Sequence, residues 1–261
     1  MDFDYSFNSE EQFHIKLHRG DVGRYVIMPG DPGRCELIAG YLDDPRHMGT
    51  FREFNVYTGT LGGEPVTVCS SGVGGPSLSL AVEELANLGA EVIIRVGTSG
   101  GIDTEVVGGD VVIPTGAVRF EGTTRQYAPI QFPAVPDYGV TGYLKRAAEK
   151  LGQRAHLGVV QSKDSFYGQH NPDRMPVAAE LNSYWEAWKR MGALCSEMEC
   201  STLFIVGQFR RIRTGAVLLV IANQERRKLG LDDPQAWDNS VSASVAVEAI
   251  RLMIADSKAA G

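Results

Sequence analysis

Three stretches of the sequence set arginines where an oxyanion can be held. In Gly30-Asp31-Pro32-Gly33-Arg34, the glycines let backbone N–H groups come close to a ligand, and Arg34 can fork onto two oxygens. In Arg95-Val96-Gly97-Thr98, a charge stands inside an apolar strand, which is costly unless it is paired or serves a site. The Thr98 hydroxyl then falls at the carboxyl end of that strand, where open α/β sheets bind ligands. The third is Arg52, in Phe51-Arg52-Glu53-Phe54. Taken singly, each is also the mark of a turn or of a structural ion pair.

Acidic, aromatic and amide residues form a second set. Glu197-Met198-Glu199 places carboxylates on either side of a methionine, facing the same way if the segment is extended. Ionised carboxylates only accept hydrogen bonds, which suits vicinal hydroxyls such as those of ribose. The plain alternative is a solvated acidic turn. Asp164-Ser165-Phe166-Tyr167-Gly168-Gln169 offers a stacking aromatic and an amide that both donates and accepts, as the edge of a uracil ring requires. His14 stands near a polar terminus, a surface position unless that tail reaches a neighbouring subunit. The loop Ser71-Gly72-Val73-Gly74-Gly75-Pro76 has the composition of a phosphate loop. It lacks the lysine of a P-loop and the spacing of a dinucleotide fingerprint, so nucleoside triphosphate and NAD readings fail.

The elements that must position these groups are legible as punctuated apolar runs. Tyr25 to Met28 is a strand stopped by proline and glycine, and 55–61 with 65–69 is a β-hairpin. Pro76 opens a helix that Gly89 ends, with Leu78, Ala81, Val82 and Leu85 on one face. Strands are expected at 92–96, from 110, at 156–160 and at 216–222. Helices are expected at 140–151, 179–191, 198–209 and 243–254. Strands alternating with helices imply a three-layer α/β/α sandwich around a mixed central sheet, as a single domain over 1–261. Residues 161–178 read as an irregular stretch, long enough to suggest that it covers a site.

Of the 261 residues, 43% are hydrophobic, enough for a sizeable core, and the net charge is −7, a poor match to nucleic acid or an anionic membrane. No run approaches the roughly 20 apolar residues of a membrane span. The N-terminus, Met1 to Glu11, has neither the basic region nor the apolar run of a secretory signal. The four scattered cysteines form no CxxC pair and read as reduced thiols, so a cytoplasmic protein is expected.

Taken together, six motifs resemble the nucleoside phosphorylase-I family, and within it the uridine phosphorylases. They are MPGDPGR at 28–34, FREF at 51–54, SSGVGGPSLSLAVEEL at 70–85, RVGTSGG at 95–101, DSFYGQ at 164–169 and SEMECSTL at 196–203. The resemblance runs from His14 to the last helix. It implies a phosphate site of Gly30, Arg34, Arg95 and Thr98, with Arg52 supplied by a neighbouring subunit. It implies that Met198 and Glu199 hold the ribose, with Glu197 and Thr98 beside it and His14 reaching in from the same neighbour. Phe166, Gln169 and Ile221 would meet the base. Hexamers built as trimers of dimers are implied, with sites shared across each dimer. So is a structural monovalent cation, such as K+, at Glu53, the Val73 carbonyl and Ser77. No cofactor is required, and inorganic phosphate is the co-substrate.

The reaction so implied is phosphorolysis of uridine to uracil and ribose 1-phosphate, a step of pyrimidine salvage. Purine-cleaving relatives carry a Ser-Asp pair whose carboxyl protonates the base. The matching stretch here is Val220-Ile221-Ala222-Asn223-Gln224, which has no acid. One departure concerns the base. Better-known uridine phosphorylases place an arginine two residues after the glutamine, and here that residue is Asn171. Arg174 or Arg226 is expected to take its role, so Arg95, Gln169 and Arg174 are the expected catalytic set. The alternatives are a phosphorylase for thymidine, deoxyuridine or purine nucleosides, a hydrolase, and a non-catalytic nucleoside-binding relative.

Overall fold

The computed structural model describes residues 10–260. Most of the acidic terminus read above, residues 1–9, lies outside the described residues, as does Gly261.

In chain order, β1 (Tyr25–Pro29) is buried throughout and is followed by the short α1 (Arg34–Ala39). Next comes an edge strand the sequence did not announce, β2 (Asp43–Phe51), which is polar and has no buried residue. The expected hairpin follows as β3 (Phe54–Leu61) and β4 (Glu64–Cys69). Helix α2 (Gly75–Asn87) starts one residue before the proline expected to open it. β5 (Val92–Gly101) does not stop at the glycine run but continues through it. Then come β6 (Val111–Phe120), α3 (Tyr138–Lys150) and β7 (Ala155–Lys163).

The stretch expected to be irregular is partly ordered. It holds the end of β7, the short helix α4 (Phe166–His170) and a 3-10 turn at Pro172–Arg174. α5 (Ala178–Arg190), the three-residue β8 (Cys195–Glu197), α6 (Cys200–Arg210), β9 (Arg213–Asn223), α7 (Gln224–Lys228) and α8 (Ser240–Ala260) complete the chain.

The strands form one mixed sheet in the order β2-β3-β4-β1-β5-β8-β7-β6-β9. Successive side chains of a strand point to opposite faces, and the core divides accordingly. Val26, Met28 and Ile93 face α2 and α6, packing with Leu85 and Phe204. Ile27, Ile94 and Val96 face α1, α3 and α8, packing with Leu144 and Ile250. This is the expected three-layer arrangement, with one addition. β9 also pairs with β5, so β5, β8, β7, β6 and β9 close into a ring.

The closure locates a crevice. β1 runs parallel to β5 only as far as Pro29 opposite Val96. Beyond that, Gly100 and Gly101 take β8 as their antiparallel partner. The chain leaving β1 and the carboxyl end of β5 therefore diverge, as at a topological switch point. On the far side, a bulge in β9 leaves Ile221 without a partner between Val220, opposite Ser99, and Ala222, opposite Gly100.

α3 seats on β9 at Gly215, where a methyl group would lie 2.5 Å from Val140 Cγ1 and 3.1 Å from Leu144 Cδ1. Gly215→Ala is expected to lower stability in urea denaturation by about 1–3 kcal/mol, with partial recovery when Val140→Ala is added. Additive losses would show that the helix does not rest on this glycine.

Candidate active site

Arg95 points into the crevice from β5, and its side chain is only 5% exposed. Its Nη2 donates to Glu199 Oε2, and its Nε lies 3.6 Å from Glu197 Oε2. Burial works against the charge, but Glu199 and then Glu197 more than offset it, and the guanidinium is held above the usual arginine value. Burial also pushes the Glu199 carboxyl above its usual range, with Arg95 pulling the other way and Glu197 adding to the push. Arginine does not give up its proton, so the fixed member of this pair is the cation.

The pairing is incomplete. Nε and Nη1 of Arg95 are buried and have no hydrogen-bond partner. Nη1 lies 3.7 Å from where a Cβ on Gly30 would stand. Arg34, half-buried at the head of α1, has its pKa lowered by burial, with Asp31 opposing and the Arg95 charge lowering it further. A second guanidinium thus feels the first across the mouth of the crevice, and an anion between them relieves both the repulsion and the orphaned N–H groups. Thr98 stands half-buried two residues past Val96, on the carboxyl end of β5.

The two carboxylates have different surroundings. Glu199 Oε1 accepts the Gly74 N–H at 2.6 Å, which ties β5 to the loop before α2. That loop turns through Gly72 at φ +67, where a Cβ would be 2.7 Å from Glu53 Cγ and from Ser77 Oγ. Glu197 accepts the Glu199 and Cys200 N–H groups at the head of α6, and the Ser162 hydroxyl. Its oxygens therefore serve chiefly to cap that helix. Met198 lies half-buried between them.

The opposite end of the site is built from amides and an ammonium. Gln169 Oε1 lies 2.6 Å from Ser196 Oγ, on β8. Lys163, at the end of β7, is 4% exposed, and its Nζ donates to Ser196 Oγ at 2.6 Å. Burial lowers the Lys163 pKa to about 8 against the pull of Glu197 and Glu199. Sequence reading missed this residue because it lies in the stretch taken as irregular; the signal was a lysine ending the run Val159-Val160-Gln161-Ser162. Beyond Gln169 and Lys163 is a cavity of about 450 Å3, walled by Phe120, Tyr184, Trp185 and Trp188. Arg95 and Thr98 are not among its lining residues.

Neither arginine expected at the base lines this cavity. Arg174 is exposed on the 3-10 turn and does not line the cavity, although Asn171, Pro172 and Asp173 do. Arg226 is occupied by the carbonyls of Asp232 and Thr104. Phe166 is 51% exposed and packs against Tyr167 and His170. Ile221 is half-buried at the β9 bulge. Asn223 is buried and used up: its amide donates to Asp103 and Val106, and its oxygen caps α7.

His14 and Arg52 lie apart from the Arg95 cluster, on the side of Glu53. Both help to lower the Glu53 carboxyl, after its hydrogen bonds to Ser77 and to its own backbone. Arg52 is exposed at the β2–β3 turn and has no ion-pair partner among the described residues. Glu84 receives the His14 and Ile15 N–H groups at 2.8–3.0 Å, and its Oε1 lies 2.6 Å from His14 Nδ1. That contact fixes the ring with Nε2 turned away from α2. Ser77 donates to Glu53 at 2.6 Å, and Val73 is 73% exposed.

If the orphaned N–H groups of Arg95 hold an anion, inorganic phosphate will raise the melting temperature. At a hundredfold excess over Kd, the gain is about 2.7 kcal/mol. In Arg95→Ala, calorimetry should record no such rise; a rise that survives the substitution would place the anion elsewhere.

Comparison with known proteins gives the family. A family model described as the phosphorylase superfamily matches residues 24–253. A uridine phosphorylase of Treponema pallidum (strain Nichols) is 54% identical over 248 residues, covering 95% of this chain and 96% of that one. A uridine phosphorylase of Escherichia coli (strain K12) is 37% identical over 252 residues, covering 95% and 100%. A guanosine phosphorylase of Halorubrum lacusprofundi is 36% identical over 213 residues, covering 82% and 84%. With its matched fold and an arginine-lined crevice at the end of β5, the chain belongs to the phosphorylase superfamily and is an enzyme.

Proposed function

We propose that the enzyme cleaves uridine with inorganic phosphate, giving uracil and ribose 1-phosphate. The observation that carries this reading is the buried Arg95 guanidinium, bonded to Glu199 through Nη2 and left without a hydrogen-bond partner at Nε and Nη1. Phosphate sits on that open side with Arg34, the Gly30 backbone and the Thr98 hydroxyl. Glu199, with Met198 against the sugar, takes the ribose hydroxyls. A phosphate oxygen bonds to C1′ as the C1′–N1 bond breaks, and that bond's electron pair passes into the uracil ring and its carbonyl oxygens. Catalysis is then positioning and charge stabilisation, with no covalent enzyme intermediate.

Lys163 supplies the positive charge at the base, in place of the arginine expected there, and Gln169 reads the ring edge beside it. Phe166 and Ile221 flank the base. The stretch Val220 to Gln224 offers no carboxyl to protonate a purine, and the Asn223 amide there is consumed by structural hydrogen bonds, which favours pyrimidines. His14 and Arg52, on the Glu53 side of the chain, complete the site of a neighbouring copy, as in a hexamer of three dimers. Glu53, Ser77 and the Val73 carbonyl are hard oxygen donors and fit a structural monovalent cation at that contact. The setting is pyrimidine salvage in the cytoplasm.

Two measurements test the reading. Uracil release from uridine should require phosphate, and inosine and guanosine should give none, with thymidine run alongside. Release without phosphate would make the protein a hydrolase, and release from inosine would overturn the pyrimidine assignment. The second concerns Lys163, whose pKa is lowered to about 8. It is an ammonium below that value and an amine above it, so kcat/KM should fall as pH rises through about 8. Lys163→Met should lose about 10²–10³-fold in kcat/KM at pH 7 together with this alkaline limb. An unchanged limb in the variant would remove Lys163 from the chemistry.

A further inference from the structure

Ser196 is the meeting point of the groups at the base end. Its Oγ lies 2.6 Å from Lys163 Nζ, 2.5 Å from Gln161 Oε1 and 2.6 Å from Gln169 Oε1. Ser196 and Gln161 are 2% exposed and Lys163 is 4% exposed, so bulk water does not substitute for any of these contacts.

A serine hydroxyl has one proton and two lone pairs. The ammonium donates to one lone pair. The single proton can serve only one of the two amide oxygens facing it. The other amide must turn its NH₂ toward the remaining lone pair, a rotation that exchanges atoms of nearly equal size. Gln161 is the register partner of Ser196 across β7 and β8; it borders the same cavity but is only 2% exposed, held by the strand backbone on both sides. Gln169 is on the short α4, half-exposed, on the wall of the cavity. The Ser196 proton therefore belongs to Gln161, and Gln169 is the amide that turns and donates.

We propose that Ser196 is a positioning residue that sets the direction of the Gln169 amide and the place of the Lys163 ammonium, and so makes the site choose uracil over cytosine. This rests on the pyrimidine reading above. With its NH₂ pinned to Ser196, Gln169 offers its oxygen as an acceptor, and Lys163 stands beside it as a donor. Uracil matches this pair with its N3–H and the adjoining carbonyl. Cytosine does not, because its N3 is a bare acceptor and its exocyclic NH₂ would meet an ammonium. A site built to hydrogen-bond one partner rejects the mismatched one strongly, because buried polar groups are left unpaired.

The test is binding of free uracil and free cytosine by calorimetry, which does not depend on turnover. The native enzyme should prefer uracil by at least about 10²-fold. Ser196→Ala should narrow the gap to less than about tenfold, and Ser196→Thr, which keeps the hydroxyl, should restore it. Gln161→Leu leaves Ser196 in place but frees its proton for Gln169, and should narrow the gap as well.

A second readout is the alkaline limb. Lys163 is faced by Glu197 from β8, Glu199 from the head of α6, and His170 from α4. Removing the Ser196 acceptor withdraws support from the ammonium, so the limb moves to lower pH in Ser196→Ala. An unchanged uracil preference and an unmoved limb in Ser196→Ala would overturn the proposal, as would a native enzyme without uracil preference. Uracil preference without phosphate-dependent release would overturn the proposed reaction and leave the assignment to Ser196 standing.

Discussion

The whole site depends on one charge that cannot be removed. Arg95 is almost fully buried, in a strand that is otherwise apolar from Val92 to Val96. A guanidinium in that position demands partners, and the fold supplies them from far along the chain, Glu197 and Glu199 some hundred positions later. Bringing them there requires β8 to end beside β5 and α6 to begin at once. The three-residue strand is there to deliver that turn. Glu197 fastens the helix head, and Glu199 fastens the charge and, through Gly74, the loop before α2. What the carboxylates leave unsatisfied on Arg95 are N–H groups open to an anion.

How much of this was legible in the sequence follows from how local each cause is. β1, α2, β5 and α3 were readable because their apolar periodicity and their terminators lie within a dozen residues. β8 was not, because Cys195-Ser196-Glu197 is too short to show a period, and its strand character comes from pairing with Gly100 and Gln161. β2 carries Asp43, Asp44, Pro45 and Arg46 and no apolar alternation; it is a strand because β3 offers it an edge. The closure of the sheet by β9 onto β5 is likewise a long-range event with no local mark.

The site divides in the same way. Arg34, Arg95 and Thr98 were found from residue type and from position at a strand end, and the structure gathers Arg34 and Arg95 with Gly30 at one crevice. For the cation at the base, Arg174 and Arg226 were named because arginine was the expected chemistry, yet one is exposed and the other is tied to carbonyls. Lys163 was overlooked because its environment, not its neighbours in sequence, gives it meaning. Burial by α6, β8 and the 164–173 segment turns an ordinary lysine into a lowered, pocket-facing ammonium.

Arg52 adopts φ +54, a left-handed backbone that costs a residue with a Cβ about 1 kcal/mol and a glycine almost nothing. The tip of the β2–β3 turn would be more comfortable with glycine or asparagine. An arginine kept there, exposed and with no ion-pair partner among the described residues, burdens the chain that carries it. The strained turn is therefore a place where the fold of the single polypeptide would gain from losing its side chain.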